Sequence, residues 1–152
     1  METYDKAKAA RVWQRVRNEA AADPTQGLQG LIAEEWADAA LYLSLSRRIQ
    51  GPQSAILNKM SQEEQSHLAC LKGIYTLHGA GKLQIPAPPP PDKAPVGTLL
   101  RRCYGREMRC LAQYEARAEH PEYGQIFARM AQQEREHCRL LLELLGSLPT
   151  EK

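Results

Sequence analysis

Glu64-Gln65-Ser66-His67 and Glu134-Arg135-Glu136-His137 repeat one pattern, Glu-x-x-His, in two distant stretches of the chain. On a helix, side chains three positions apart share a face, so each stretch presents a carboxylate and an imidazole together. With 14 Glu among 152 residues, two such pairs among four histidines arise in roughly 5% of random placements. The helices that precede them add an independent signal. Glu35 is followed seven residues later by Tyr42, and Glu107 seven residues later by Tyr114. Both glutamates sit in phase with apolar stripes: Leu28, Leu31, Tyr42 and Ile49 around the first, Leu100, Cys103, Leu111, Tyr114 and Ala118 around the second. A carboxylate at a core position is expensive to bury unless something positive pairs with it. Glu34, one step off the stripe, is read as solvated.

Working outward, periodicity and punctuation predict five helices: about Thr3–Ala22, Gln26–Gln50, Pro52–His78, Val96–Glu119, and a last one from Pro121 to about Leu145 capped by Gly146. Asp23-Pro24, Gly51-Pro52 and Gly79-Ala80-Gly81 supply the stops, and Pro121 suits a first turn. No strand alternation is found, so the fold class is all-α. The short turns at Gly51 and near His120 each join antiparallel neighbours. The stretch Ile85–Pro95 is too rich in proline for helix and is read as polyproline II. Ten such residues reach about 31 Å, close to the roughly 36 Å of a helix of about 24 residues. The segment is therefore read as a crossover between bundle ends, against a disordered linker. Residues 1–25 form an N-terminal helix on this reading, and 26–146 a four-helix bundle with its crossover at 79–96.

Depth along the bundle ties the polar residues together. Glu35 lies about 16 residues before Gly51, and the midpoint of Glu64 and His67 about 15 after it; Glu107 lies about 13 before the second turn, and Glu134 and His137 about 14 to 17 after it. At 1.5 Å per residue the mismatch in each hairpin is a few ångströms. Glu35, Glu64, His67, Glu107, Glu134 and His137 are thus expected in one layer. Four carboxylates and two imidazoles meeting in a core call for positive charge, which two divalent cations would supply.

Composition agrees. The chain is 43% hydrophobic and 25% charged, the proportions of one globular domain. A net charge of +2 argues against broad nucleic-acid binding. No stretch approaches the roughly 18 apolar residues of a membrane span, and Met1–Ala9 has no apolar signal core, so a soluble, cytoplasmic protein with no membrane partner is expected. No two of the four cysteines have CxxC spacing, and they are read as reduced thiols. Cys103 and Cys110, flanking Glu107, are read as packing or as redox or ligand groups; Cys70 and Cys138 as packing. Arg101, Arg102, Arg106 and Arg109 are read as a solvated face, or as a dock for an acidic electron carrier.

The set Glu35, Glu64, His67, Glu107, Glu134 and His137 resembles the ferritin-like di-iron carboxylate superfamily, in which one Glu from each of two helices joins a Glu-x-x-His from each of the other two. The resemblance covers about Leu28 to Leu145. The Glu-to-Tyr spacing of seven, the two near-equivalent halves and the size look most like the rubrerythrin branch. It implies a ferritin-like antiparallel bundle holding two iron ions, with manganese the alternative. The Glu-x-x-His glutamates would bridge, Glu35 and Glu107 would be terminal, and His67 and His137 would bind one ion each. Tyr42 and Tyr114 would donate hydrogen bonds to the carboxylates, or are core tyrosines with ordinary partners. The implied activity is reduction of peroxide or O2, or oxidation of Fe(II). A di-manganese catalase-like enzyme, a hydroxylase akin to demethoxyubiquinone hydroxylase, and a non-enzymatic metal-binding scaffold or encapsulated cargo are the alternatives. Rubrerythrins usually carry a rubredoxin domain, and no four-cysteine stretch of that kind is read in these 152 residues, so a separate electron donor such as a rubredoxin-like protein is expected. Where they have an extra glutamate one turn after the third-helix ligand, this chain has Cys110, a departure at a residue used in their ligand exchange. Homodimerisation is common in the superfamily and is a further expectation.

Overall fold

The computed structural model describes residues 6–12, 23, 25–79, 81–87, 90 and 92–148, and among these it contains helices and no strand. Helix α1 covers residues 6–12. The rest of the expected N-terminal helix, Trp13 included, lies outside the described residues. Four long helices follow: α2 Leu28–Arg48, α3 Pro52–Leu77, α4 Val96–Glu115 and α5 Gly124–Ser147. None is long and apolar enough to cross a membrane.

The turn between α2 and α3 works because Gly51 takes a φ of 85°, open to a residue without Cβ, and Pro52 then starts α3 with its φ already helical. The hydroxyl of Ser54 donates to the Ser46 carbonyl at 2.5 Å and that of Ser61 to the Ala39 carbonyl at 2.7 Å. Both pairs mirror about residue 50, which sets Glu35 beside Glu64. Across the bundle, Tyr42 of α2 meets Glu107 of α4, and Tyr114 of α4 meets Glu35 of α2. Glu63 and His67 of α3 likewise meet His137 and Gln133 of α5. Both sets of pairs are antiparallel, so α3 and α4 point the same way and the chain between them must return along the bundle.

Its contacts trace that return. The Gln29 side-chain amide donates to the carbonyl of Gln84 at 3.1 Å, and the Arg48 guanidinium to that of Ala94 at 2.9 Å. Those two residues stand at opposite ends of α2, which at 1.5 Å per residue is about 30 Å long. Leu83 and Ile85 pack on the core at one end and Ala94 at the other. The described residues at the two ends of the proline-rich segment therefore sit at opposite ends of α2, and the chain crosses the length of the bundle between them.

Two boundaries differ from the sequence expectation. Helix α4 stops at Glu115, and α5 starts at Gly124 rather than at Pro121. The reason is a close turn: the Gly124 N–H donates to the His120 carbonyl at 2.8 Å, and a Cβ on Gly124 would stand 2.3 Å from the Ala118 carbonyl oxygen. His120 Nδ1 also accepts from the backbone N–H groups of Glu122 and Tyr123, each at 3.2 Å. The side chain of His120 thus occupies backbone donors that Pro121 alone would leave open. At the far end, Gly146 lies inside α5, which runs on to Ser147, and does not cap it.

Two apolar clusters fill the bundle. One gathers Leu28, Ile32, Leu71, Ile74, Tyr114 and Phe127; the other gathers Tyr42, Leu45, Leu57, Leu99, Leu100 and Leu141. Each of α2 to α5 contributes to both. The stretch of each helix between its two contributions carries the polar residues, so the apolar clusters close a polar layer from above and below.

Candidate metal centre

All six residues singled out from the sequence are buried and converge in that layer. Glu35, Glu64, His67 and Glu134 each offer a donor atom within 4.8 Å of the others. Glu64, Glu107, Glu134 and His137 do the same. Glu64 and Glu134 belong to both sets. Each set is three carboxylates and one imidazole, and no thiol joins either among the described residues.

The geometry at the histidines shows which ring nitrogen faces the layer. His67 Nδ1 lies 2.8 Å from Glu134, 3.3 Å from Glu64 and 3.7 Å from Glu35. His137 Nδ1 lies 2.8 Å from Glu64 and 3.5 Å from Glu107. Yet both Nδ1 atoms, both oxygens of Glu64, and one oxygen each of Glu35, Glu107 and Glu134 make no hydrogen bond. Buried polar atoms left this way cost about 1–3 kcal/mol each. Atoms close to one another but not aimed at one another fit lone pairs directed at a common point. The donor set of carboxylate oxygens and imidazole nitrogens could hold a divalent metal ion.

The electrostatics of the layer agree. Burial, together with the nearby Glu35 and Glu107, pushes the Glu64 carboxyl well above the usual range. Burial and the neighbouring Glu107 carboxylate push Glu134 up as well. Burial acts against the Glu107 anion, but the neighbouring Glu134 carboxyl and His137 imidazole overcome it and hold this carboxyl low. Burial disfavours protonated imidazole too, yet the nearby Glu107 carboxylate and the hydrogen bond to Glu63 carry His137 up to about 10, and Glu134, Glu35 and Glu64 raise His67. In the absence of a cation these shifts favour protons on Glu64, Glu134 and the two imidazoles.

The tyrosines are hydrogen-bonded to carboxylates, and crosswise. Tyr42 donates to Glu107 Oε1 at 2.5 Å, and Tyr114 donates to Glu35 Oε1. Each hydroxyl thus holds the carboxylate of the opposite helix rather than the one seven residues earlier on its own. Both rings are fully buried, with Tyr114 stacked on Phe127 at 6.2 Å between centroids.

Two neighbours, Glu63 and Gln133, escape the sequence reading. The outer nitrogen of His137, Nε2, faces Glu63 Oε2 at 2.6 Å, and that of His67 faces Gln133 Oε1 at 2.7 Å. Glu63 and Gln133 each stand one place before a Glu-x-x-His, so the shared motif was one residue longer than it was read. Asp38 is buried and ion-paired with Arg106, so Arg106 does not belong to a solvated arginine face. Burial raises the Asp38 carboxyl even beside that guanidinium. Glu34 is half-buried rather than fully solvated and accepts from the Cys110 thiol at 3.2 Å. Cys103, Cys110 and Cys138 are buried, whereas Cys70 is exposed and packs nowhere in the core. Burial pushes the Cys103 thiol up to about 12 and raises that of Cys110 as well, which holds both as thiols at neutral pH. Compared with known proteins, the chain matches no family model, no curated protein and no solved structure.

Proposed function

We propose that this chain is a di-metal oxidoreductase of the ferritin-like, rubrerythrin-like kind, holding two iron ions and reducing peroxide or O2 with electrons from an external donor, or oxidising Fe(II). The observation that carries the reading is the pair of buried ligand sets sharing Glu64 and Glu134. In this reading Glu35 and His67 complete one position and Glu107 and His137 the other. Two iron ions bound there would supply two electrons to one oxidant in a single encounter. The chain does the rest. Tyr42 and Tyr114 fix the terminal carboxylates by their hydroxyl protons. Glu63 and Gln133 accept from the outer imidazole nitrogens and leave each Nδ1 free to bind metal. The apolar clusters on either side keep bulk water from the layer.

The test is metal content per chain by elemental analysis after anaerobic loading with Fe(II) and desalting, followed by addition of peroxide or O2. About two irons per chain that oxidise on addition are expected, and the double variant Glu64→Ala, Glu134→Ala should retain none while keeping its helix content. Metal content unchanged in that variant would overturn the assignment. A preference for manganese would move the chemistry toward a catalase-like reaction, and metal that binds without reacting would make the centre a structural one.

A further inference from the structure

The layer has a pseudo-twofold plan, and its departures from symmetry are informative. Position by position, Glu64 answers to Glu134, His67 to His137, Glu35 to Glu107 and Tyr42 to Tyr114. One step before each Glu-x-x-His the plan breaks: Glu63 stands on α3 where Gln133 stands on α5. These two residues occupy matching places, both half-buried, and each contacts the outer nitrogen of the histidine on the opposite helix, at 2.6 Å and 2.7 Å. Since each Nδ1 faces the carboxylates, each Nε2 carries the hydrogen and donates it outward. His137 therefore donates to a carboxylate, and His67 to a neutral amide.

We propose that the two metal positions are built unequal: the Glu63 carboxylate makes His137 the stronger donor, the Gln133 amide leaves His67 the weaker, and the position served by His137 fills first. This rests on the di-metal reading above. A hydrogen bond to an anion draws the proton away from the imidazole and places more electron density on its other nitrogen, the ligand atom. An amide acceptor carries no charge and does so less. Outer partners of this kind change metal affinity by about 10–100-fold. The other charges near the layer do not restore symmetry through the same route. Glu34 touches Cys110, Asp38 pairs with Arg106, and none of the four makes a hydrogen bond to either histidine. Lys59, 3.6 Å from Glu63, is largely exposed, so water screens most of its pull on that carboxylate.

Titration of the metal-free chain with Mn(II) under anaerobic conditions, read by calorimetry and by electron paramagnetic resonance, tests the inequality without reference to activity. Two steps differing by about 10–100-fold are expected, with an isolated-ion spectrum at one equivalent and a coupled-pair spectrum only at two. Glu63→Gln should weaken the first step by about tenfold or more and leave two steps of similar strength. Gln133→Glu should leave the first step in place and strengthen the second. Both positions are at the solvent side of the layer, and helix content by circular dichroism checks that each variant is folded. Equal uptake of both ions by the unaltered chain, or a ratio that survives Glu63→Gln, would overturn the inequality while leaving the di-metal reading intact. Failure of the unaltered chain to take up Mn(II) or Fe(II) would overturn both.

Discussion

The crosswise hydrogen bonds of Tyr42 and Tyr114 can be measured as a coupling between helices. Tyr42→Phe removes one hydroxyl and leaves the ring, so the change isolates the bond to Glu107 at 2.5 Å. A hydrogen bond to a charged acceptor is worth about 1.5–3 kcal/mol, and here the acceptor is a buried carboxylate held low, hence an anion. For a chain of this size, about 2–4 °C of melting temperature per kcal/mol converts the loss to roughly 3–12 °C. The assay is urea unfolding of the metal-free chain followed by circular dichroism, in a double-mutant cycle with Glu107→Met, which keeps the length of the side chain and removes its acceptor. A coupling of about 1.5–3 kcal/mol is expected between positions 42 and 107. The matching cycle between Tyr42→Phe and Glu35→Met should couple far less, because Tyr42 does not touch the glutamate of its own helix. A larger coupling with Glu35 than with Glu107 would refute the reasoning, since it would mean that the tyrosine serves its own helix.

Glycine substitutions should split by site: Gly124→Ala drives a Cβ to 2.3 Å from the Ala118 carbonyl and should cost about 1–3 kcal/mol. Gly73→Ala, with nothing within 4 Å, should gain up to about 1 kcal/mol in helix propensity, both read from chemical denaturation midpoints. Metal loading should release protons, because at pH 7 the metal-free layer keeps them on His137, raised to about 10, and on Glu134, raised well above the carboxylate range. Both groups bind protons more tightly than their ordinary values, so apparent metal affinity should rise with pH from 6 to 8, by up to about tenfold per pH unit for each proton displaced. Calorimetry in two buffers of different ionisation enthalpy reads the number directly, and a value of zero would contradict the protonated layer.

Much of the bundle is legible from local chemistry. Pro52 and Gly51 mark a turn because one fixes φ and the other tolerates a φ of 85°. The run from Ile85 to Pro95 excludes helix because proline lacks the N–H that helix requires. The α4–α5 boundary resists such reading because it is set by an encounter across the turn. Pro121 has the right residue type for a helix start, but the close approach of Gly124 to Ala118 and the His120 imidazole hold the preceding residues in a turn. Cys70, expected to pack, is exposed for a related reason: sequence spacing tells which side of a helix is apolar on average, not which single residue the neighbouring helices cover.

The six polar residues were identifiable because two constraints are properties of the chain alone. Helical periodicity aligns i and i+3 on one face, and the rise of 1.5 Å per residue sets depth from a turn. What needed tertiary structure is everything that passes between helices without a fixed sequence separation. That includes the crossing of Tyr42 to Glu107 and Tyr114 to Glu35, the inward turn of Arg106 onto Asp38, the meeting of Glu34 with Cys110, and the backing of His137 by Glu63 and of His67 by Gln133. Periodicity gives each side chain an angle on its own helix. Only the packing of four helices around one layer decides what stands at the other end of that angle.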